Sequence, residues 1–312
     1  MADLVHVLPL QSVSDEAQEA LSKIEYLEGD SATKVKEYDG VVRSFWEVNQ
    51  LYEQFRWNYG ELRRLVPCDR SDFLPDGFTS GGFGERTVVN AAFGNYVSAA
   101  RGLVDRMQAV MRVYDRGSEK ELYKKYWKLP SAWYDRGGLY VFMYEIRNPV
   151  QHGQTVVSRV RENGLIRVRF DLDQIADLRD YNTSPKLRAF LSKSISIMKE
   201  RDSSGCSYLC FRYTNMKYQE LVLKLFCHFL DCAEPRIRAV RRDMKKLLSQ
   251  HGKAVGKLGG ISFVAYRDGD ITHVFNEVDV DPVKDLKDIR RKAQKHLKDV
   301  QNAVTAERRS IR

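Results

Sequence analysis

Apolar side chains in this chain return every three or four positions over long stretches, a period that one face of an α-helix satisfies and a β-strand does not. Between residues 34 and 65 the recurring positions are Val41, Phe45, Val48, Leu51, Tyr52 and Phe55, continued by Leu62 and Leu65, with Pro67 as a stop. Residues 85–114 repeat the pattern with Val89, Ala92, Phe93, Tyr96, Ala100, Leu103, Val104, Met107, Val110 and Met111. The same segment carries Ala91, Gly94, Ser98, Ala99 and Gly102. Side chains this small let a neighbouring helix come close.

Further helices are expected over 14–26, over 118–127 with a break at Leu129-Pro130, and over 131–151. Others are expected over 184–201, with Pro185 at the first position, over 216–231, and from beyond Pro235 to about residue 250. The terminal helix is expected over 282–306, with Arg308, Arg309 and Arg312 in a frayed tail. Two places switch to a period of two. Residues 155–160 and 165–170 alternate around Asn163-Gly164, and residues 261–266 and 271–278 flank Asp268-Gly269. Both read as β-hairpins. Residues 204–212 read as a short strand. The fold class is therefore mainly α, a helical bundle decorated by two β-hairpins. Three segments are expected: a polar lead-in at 1–33, a helical domain at 34–250 with a hairpin insertion near 155–170, and a hairpin plus amphipathic helix at 251–312.

With 312 residues, 43% of them apolar, the chain can bury a sizeable core. It carries 51 Lys and Arg against 42 Asp and Glu, a formal charge of +9. That balance favours anionic partners such as nucleic acid or an acidic protein. No run approaches the roughly 20 apolar residues of a membrane span, and the N-terminus lacks the basic start of a signal peptide. Five cysteines form no secreted-style framework. A soluble, cytoplasmic protein without a membrane partner is expected.

Chemistry concentrates in residues 139–153, LYVFMYEIRNPVQHG. In a helix, Asn148 and His152 lie one turn apart on one face, with Arg147 to the side. A permanent cation, an amide and the side chain that titrates near neutral pH are gathered in one short stretch. Pro149 conflicts with a regular ladder. Either the helix kinks, or Asn148 caps a new helix that begins at Pro149. Gly153 suits a left-handed exit. The plainer alternative is a buried Arg/His pair that holds a helix corner.

An Arg-Asn-x-x-x-His signature late in a helical bundle, closed by Gly153, resembles the HEPN superfamily. The resemblance follows helix order over residues 34–250 and rests in identity on Arg147, Asn148 and His152. It implies an all-α domain that in many members is a metal-independent ribonuclease, toxin or microbial defence protein, with its active site at a dimer interface. In some members a Tyr two residues past the His is the target of a partner nucleotidyltransferase. That position here is Gln154, so this part of the pattern is missing.

Just beyond the motif, Arg159 and Arg161 share one face of the first strand, and Arg167 and Arg169 share one face of the second. A register that brings the four together would make a positive ribbon for an RNA backbone; otherwise they form a solvated face. Other chemistries fit less well. Cys206, Cys210, Cys227, His228 and Cys232 lack zinc-knuckle spacing. The runs Ser80–Gly84 and Gly252–Leu258 lack a phosphate-loop pattern. No metal or cofactor is expected.

RNA cleavage by transesterification needs a base for the 2′-OH, a cation for the phosphorane and an acid for the leaving 5′-oxygen. His152 suits either proton role, Arg147 the phosphate, and Asn148 orientation or donation to a phosphate oxygen. One His does not fill both proton roles in one step, so a homodimer is expected. The expected function is a metal-independent endoribonuclease acting on RNA, a toxin or antiviral effector with an antitoxin or defence-system partner. The rival is an inactive module of the same build that binds RNA, a nucleotide or protein, and a third reading is a scaffold partner without nucleic acid.

Overall fold

Long apolar stripes become long helices. A computed structural model describes residues 4–9, 25–27, 30–66, 83–115, 121–162, 165–178, 184–201, 207–250, 261–267, 270–275 and 282–310. Both hairpin turns, the loop at 69–82, Cys206, residues 251–260 and most of the helix expected at 14–26 lie outside this set. The chain is mainly α-helical. It divides into two compact units, one of residues 1–47 and 230–292, the other of residues 48–229 and 293–312.

The first unit contains a four-stranded antiparallel sheet. Its order is β2 (Glu25–Leu27), β1 (Leu4–Pro9), β6 (Ile261–Arg267) and β7 (Asp270–Phe275). The expected C-terminal hairpin is thus the β6–β7 pair. Within the expected lead-in at 1–33, residues 4–9 and 25–27 belong to this sheet, because β1 pairs with both β2 and β6. The helix expected at 14–26 is corrected at its end, where Glu25 and Tyr26 pair with Val7 and His6. A ladder partner distant in sequence overrides local propensity here.

The second unit carries the motif. It holds the later part of α1 (Asp30–Leu65) and all of α2 (Phe83–Tyr114). Val48, Tyr52 and Phe55 of α1, and Phe93, Tyr96, Leu103, Met107 and Met111 of α2, are fully buried, as their spacing requires. Leu51, Leu65 and Ala92 are half-buried at the stripe edges. Three strands form a sheet of order β3 (Ser158–Glu162), β4 (Leu165–Asp171), β5 (Tyr208–Cys210). The first hairpin is therefore part of a sheet rather than a decoration. Phe170 on β4 contacts Phe93, Phe142 and Phe211 at centroid distances of 5.2, 5.4 and 5.0 Å. This cluster ties the sheet to the helices around it.

Several helix boundaries differ from expectation. The third helix, α3 (Glu121–Asp135), runs through Pro130, and the chain then turns at Gly137 and Gly138, with φ of 69° and 82°. The motif helix therefore starts later than expected and comes in two pieces, α4 (Leu139–Glu145) and α5 (Arg147–Gln151). A one-turn helix α6 (Leu172–Ala176) follows, capped by the Asp171 carboxylate, which accepts from Gln174 N–H at 3.1 Å. Helix α7 (Pro185–Arg201) begins at Pro185 as expected. Helix α8 (Phe211–Gln250) runs uninterrupted past Pro235. In α3 and α8 a proline costs about 3 kcal/mol in a helix interior. Burial of Tyr126 and Pro130, and of Cys232, Ala233 and Ile237, accompanies that cost. The terminal helix α9 (Pro282–Ser310) includes Arg308 and Arg309.

Candidate functional site

The backbone of the motif is a helix that loses its ladder in stages. Ile146 joins α4 to α5 and keeps an αR conformation, φ −62° and ψ −18°. Ile146, not Asn148, holds the cap position of α5, and Pro149 is its third residue. Pro149 has no N–H, so the Glu145 carbonyl gets no donor four residues on. The next bond, from Val150 N–H to the Ile146 carbonyl, is long at 3.4 Å. His152 N–H then donates to the Asn148 carbonyl at 3.1 Å. Gly153, at φ 76°, closes the helix. Its N–H donates to Val150 and Gln154 N–H to Pro149, at 3.1 and 2.9 Å. This double bond pattern around a left-handed residue is the Schellman closure that glycine favours.

The side chains divide by exposure. Asn148 and His152, one turn apart, are both exposed, while Pro149 is buried beneath them. Arg147 is half-buried. Its Nε is buried and has no hydrogen-bond partner among the described residues. The motif thus presents an amide and an imidazole to solvent beside a half-buried cation.

Helix α2 holds this corner in place. A Cβ added at Gly94 would lie 2.8 Å from Val150 Cγ1. The helix admitted by the small-residue stripe is therefore the motif helix itself. Asn90 holds the chain that leaves the motif: its Oδ1 accepts from Val156 and Val157 N–H at 3.2 and 3.1 Å, and its Nδ2 donates to the Val157 carbonyl at 3.3 Å. Between them lies a groove of about 500 Å³, lined by Asn90, Asn95 and Ser98 on one side and by Val150, Gln151 and Thr155 on the other. Two turns further along α2, the Arg101 guanidinium sits 3.5 Å from the centroid of the Tyr144 ring. Tyr134 donates to Glu145 at 2.6 Å. Burial and this carboxylate hold the Tyr134 phenol above its usual range. Asn90, Arg101 and Tyr134 were not singled out by sequence reasoning. The one sequence signal near them was the stripe of small residues on α2.

The four hairpin arginines do not share a face. Arg159 pairs with Val168 and Arg161 with Ile166, whereas Arg167 pairs with Val160 and Arg169 with Ser158. Directly paired residues of an antiparallel ladder lie on the same face. Two arginines therefore fall on each side. Arg169 is also engaged: it lies 4.8 Å from the Tyr208 ring centroid and 3.8 Å from the Asp171 carboxylate. A one-sided positive ribbon is not what the ladder builds.

Among the described residues no group of three or more His, Cys, Asp or Glu is placed to hold a metal ion. Cys210 Sγ accepts from Tyr213 N–H at 3.4 Å, and Cys232 is buried as a small hydrophobe. No described helix is long and apolar enough to cross a membrane. No protein-family model, curated protein or solved structure matches this chain.

Proposed function

We propose that this chain is a metal-independent endoribonuclease of HEPN-like build, acting on RNA through Arg147, Asn148 and His152. The observation that carries the reading is the division of exposure at the corner. Asn148 and His152 face solvent while Arg147 keeps an Nε without a partner among the described residues. A fold that used Asn148 and His152 only as mortar would cover them.

In the proposed reaction, one His152 removes the proton of a 2′-OH, and the resulting oxygen attacks the adjacent phosphorus. The P–O5′ bond breaks, the 5′-oxygen takes a proton from a second imidazole, and a 2′,3′-cyclic phosphate remains. Arg147 holds the negative charge that builds on the phosphoryl oxygens. Asn148, one turn from His152, orients the imidazole or donates to phosphate. The second imidazole comes from the His152 of a second copy, so the active form is a homodimer. A nuclease of this kind suits a toxin or antiviral effector restrained by a partner.

The half-buried position of Arg147 favours one alternative, a module that keeps the corner for binding and does not cut. Purified protein incubated with end-labelled RNA, with and without chelator, separates the two. Cutting that survives chelator, ends in a cyclic phosphate and disappears in His152→Ala supports the nuclease. Retained RNA binding with no cutting, or cutting unchanged in His152→Ala, overturns it.

A further inference from the structure

A second cavity lies away from the motif and shares no lining residue with the groove beside it. It is a groove of about 810 Å³ along three helices. Helix α1 supplies Arg56, Gly60 and Arg63, one face at helical spacing. Helix α8 supplies Arg212, and α9 supplies His296 and Asp299. Nothing lies within 4 Å of a Cβ built at Gly60, so the missing side chain leaves the groove open at its floor.

The lining carries charges of both signs. At one end Arg63 and Arg212 both act on the buried Tyr59 phenol, opposing the rise that burial imposes. Both arginines also line a smaller hollow at this end, with Tyr59, Leu62 and Asn215. Arg212 is paired with Glu307 at 3.4 Å, whereas Arg63 is exposed. At the other end lie Asp299, Glu53 ion-paired with Arg56 at 2.9 Å, and His296, whose Nδ1 is 3.4 Å from the Tyr52 hydroxyl. Burial, with the positive Arg56 beside it, keeps that imidazole neutral at pH 7, its pKa lowered to about 4. On the rim stands Trp57, 66% exposed, more than any other large apolar side chain described. An indole left in water on the rim of a groove lined by arginines is an aromatic platform for a base whose phosphate those arginines can hold. The volume falls within the range of small-molecule pockets.

We propose that this groove binds a nucleotide. The phosphate lies between Arg63 and Arg212, and the base stacks on Trp57. Sugar hydroxyls or base amino groups donate to Asp299. The ligand is either a free mononucleotide or the phosphorylated end of an RNA strand. The site is independent of whether the motif cuts RNA.

Calorimetric titration of the full chain tests this with AMP, ATP, inorganic phosphate, and a short oligoribonucleotide with or without a 5′-phosphate. The oligonucleotide arms use the His152→Ala chain so that strands stay intact. Saturable binding of AMP or ATP assigns a mononucleotide; binding confined to the 5′-phosphorylated strand assigns an RNA end. Arg63→Glu is expected to weaken either by about tenfold or more, the loss of a charged hydrogen bond. Trp57→Ala is expected to weaken it at least about fivefold while leaving inorganic phosphate unchanged. Gly60→Leu puts bulk into the groove from a position where the Cβ itself meets nothing within 4 Å, so binding falls while the melting temperature does not. No saturable binding of any nucleotide at millimolar concentration overturns the proposal. Binding that ignores both Arg63→Glu and Gly60→Leu also overturns it, as does inorganic phosphate binding as tightly as AMP.

Discussion

The second unit has two polar surfaces made in opposite ways. At the motif corner the backbone is irregular: a proline without a donor, a long bond at Val150 and a left-handed Gly153 set Asn148 and His152 in space. At the Trp57 groove the backbone is regular throughout, and residues from three helices meet because the helices pack. A surface set by the chain's own local bend is sensitive to whatever fixes that bend. A surface set by packed regular helices is sensitive to the side chains that line it and little else. Changes at Asn90 and Gly94 should therefore disturb the first and spare the second.

The largest expected effect belongs to the corner alone. His152→Ala should lower RNA cleavage by about 10²–10⁴, the worth of one proton-transfer role. Because His152 is exposed, stability should change by no more than about 0.5 kcal/mol. Parallel kinetics and thermal melts check this. A melt that falls by several kcal/mol alongside activity would make the imidazole a structural group and remove the contrast.

Next in size is a change expected to strike the unit as a whole. Phe170 is fully buried and touches Phe93, Phe142 and Phe211. Phe170→Ala should cost about 3–5 kcal/mol in a denaturant titration. A loss under 1 kcal/mol would mean that the sheet is not held against the helices in the way this cluster implies.

The decisive middle case is Asn90→Ala. It strips two buried backbone donors, Val156 and Val157 N–H, of their shared acceptor. The expected cost is about 1–3 kcal/mol. RNA cleavage should fall at a temperature where the protein is still folded, while nucleotide binding at the Trp57 groove stays as it was. Equal loss at both surfaces would show that they are not built independently.

How much of this was legible depends on whether the cause is local. The stripes at Val48, Tyr52 and Phe55, and at Phe93, Tyr96 and Leu103, follow from helical period alone, and Gly153 announced its own turn. Gly94 and its small neighbours announced a close helix without saying which. The hairpin is instructive in a different way. Alternation showed which arginines share a strand face but not which faces coincide. Pairing of Glu162 with Leu165, with two residues of sequence between them, sets Arg159 against Val168, so the length of the connection already held the answer. Pro130 and Pro235 misled because a proline's local cost is visible in sequence and the burial around it is not. The sheet that joins residues 4–9 to 261–267, and the groove that joins Arg63, Arg212 and His296, depend on contacts far apart in the chain. No window along the sequence contains them.

The smallest effect probes the groove through its imidazole. Burial, reinforced by Arg56 and opposed by Asp299, lowers the pKa of His296 from 6.5 to about 4. Above pH 6.5 the ring is neutral in both folded and unfolded chains and pH does not matter to it. As pH falls from 6.5 toward 4, the unfolded chain takes up a proton that the folded chain refuses, so stability drops with acid. Allowing for solvent screening at a partly open site, the loss is about 1–2 kcal/mol. Glu220 and Glu234, held below the usual carboxylate range by lysine and arginine partners, lose their contributions only at lower pH. Melts between pH 6.5 and 5 therefore isolate the imidazole. His296→Gln should flatten the pH dependence in that window, and a nucleotide bound in the groove should stabilise the variant as it does the parent if the phosphate rests on Arg63 and Arg212. A slope unchanged by the substitution would place the titrating group elsewhere and leave His296 as an ordinary half-buried neighbour of Tyr52.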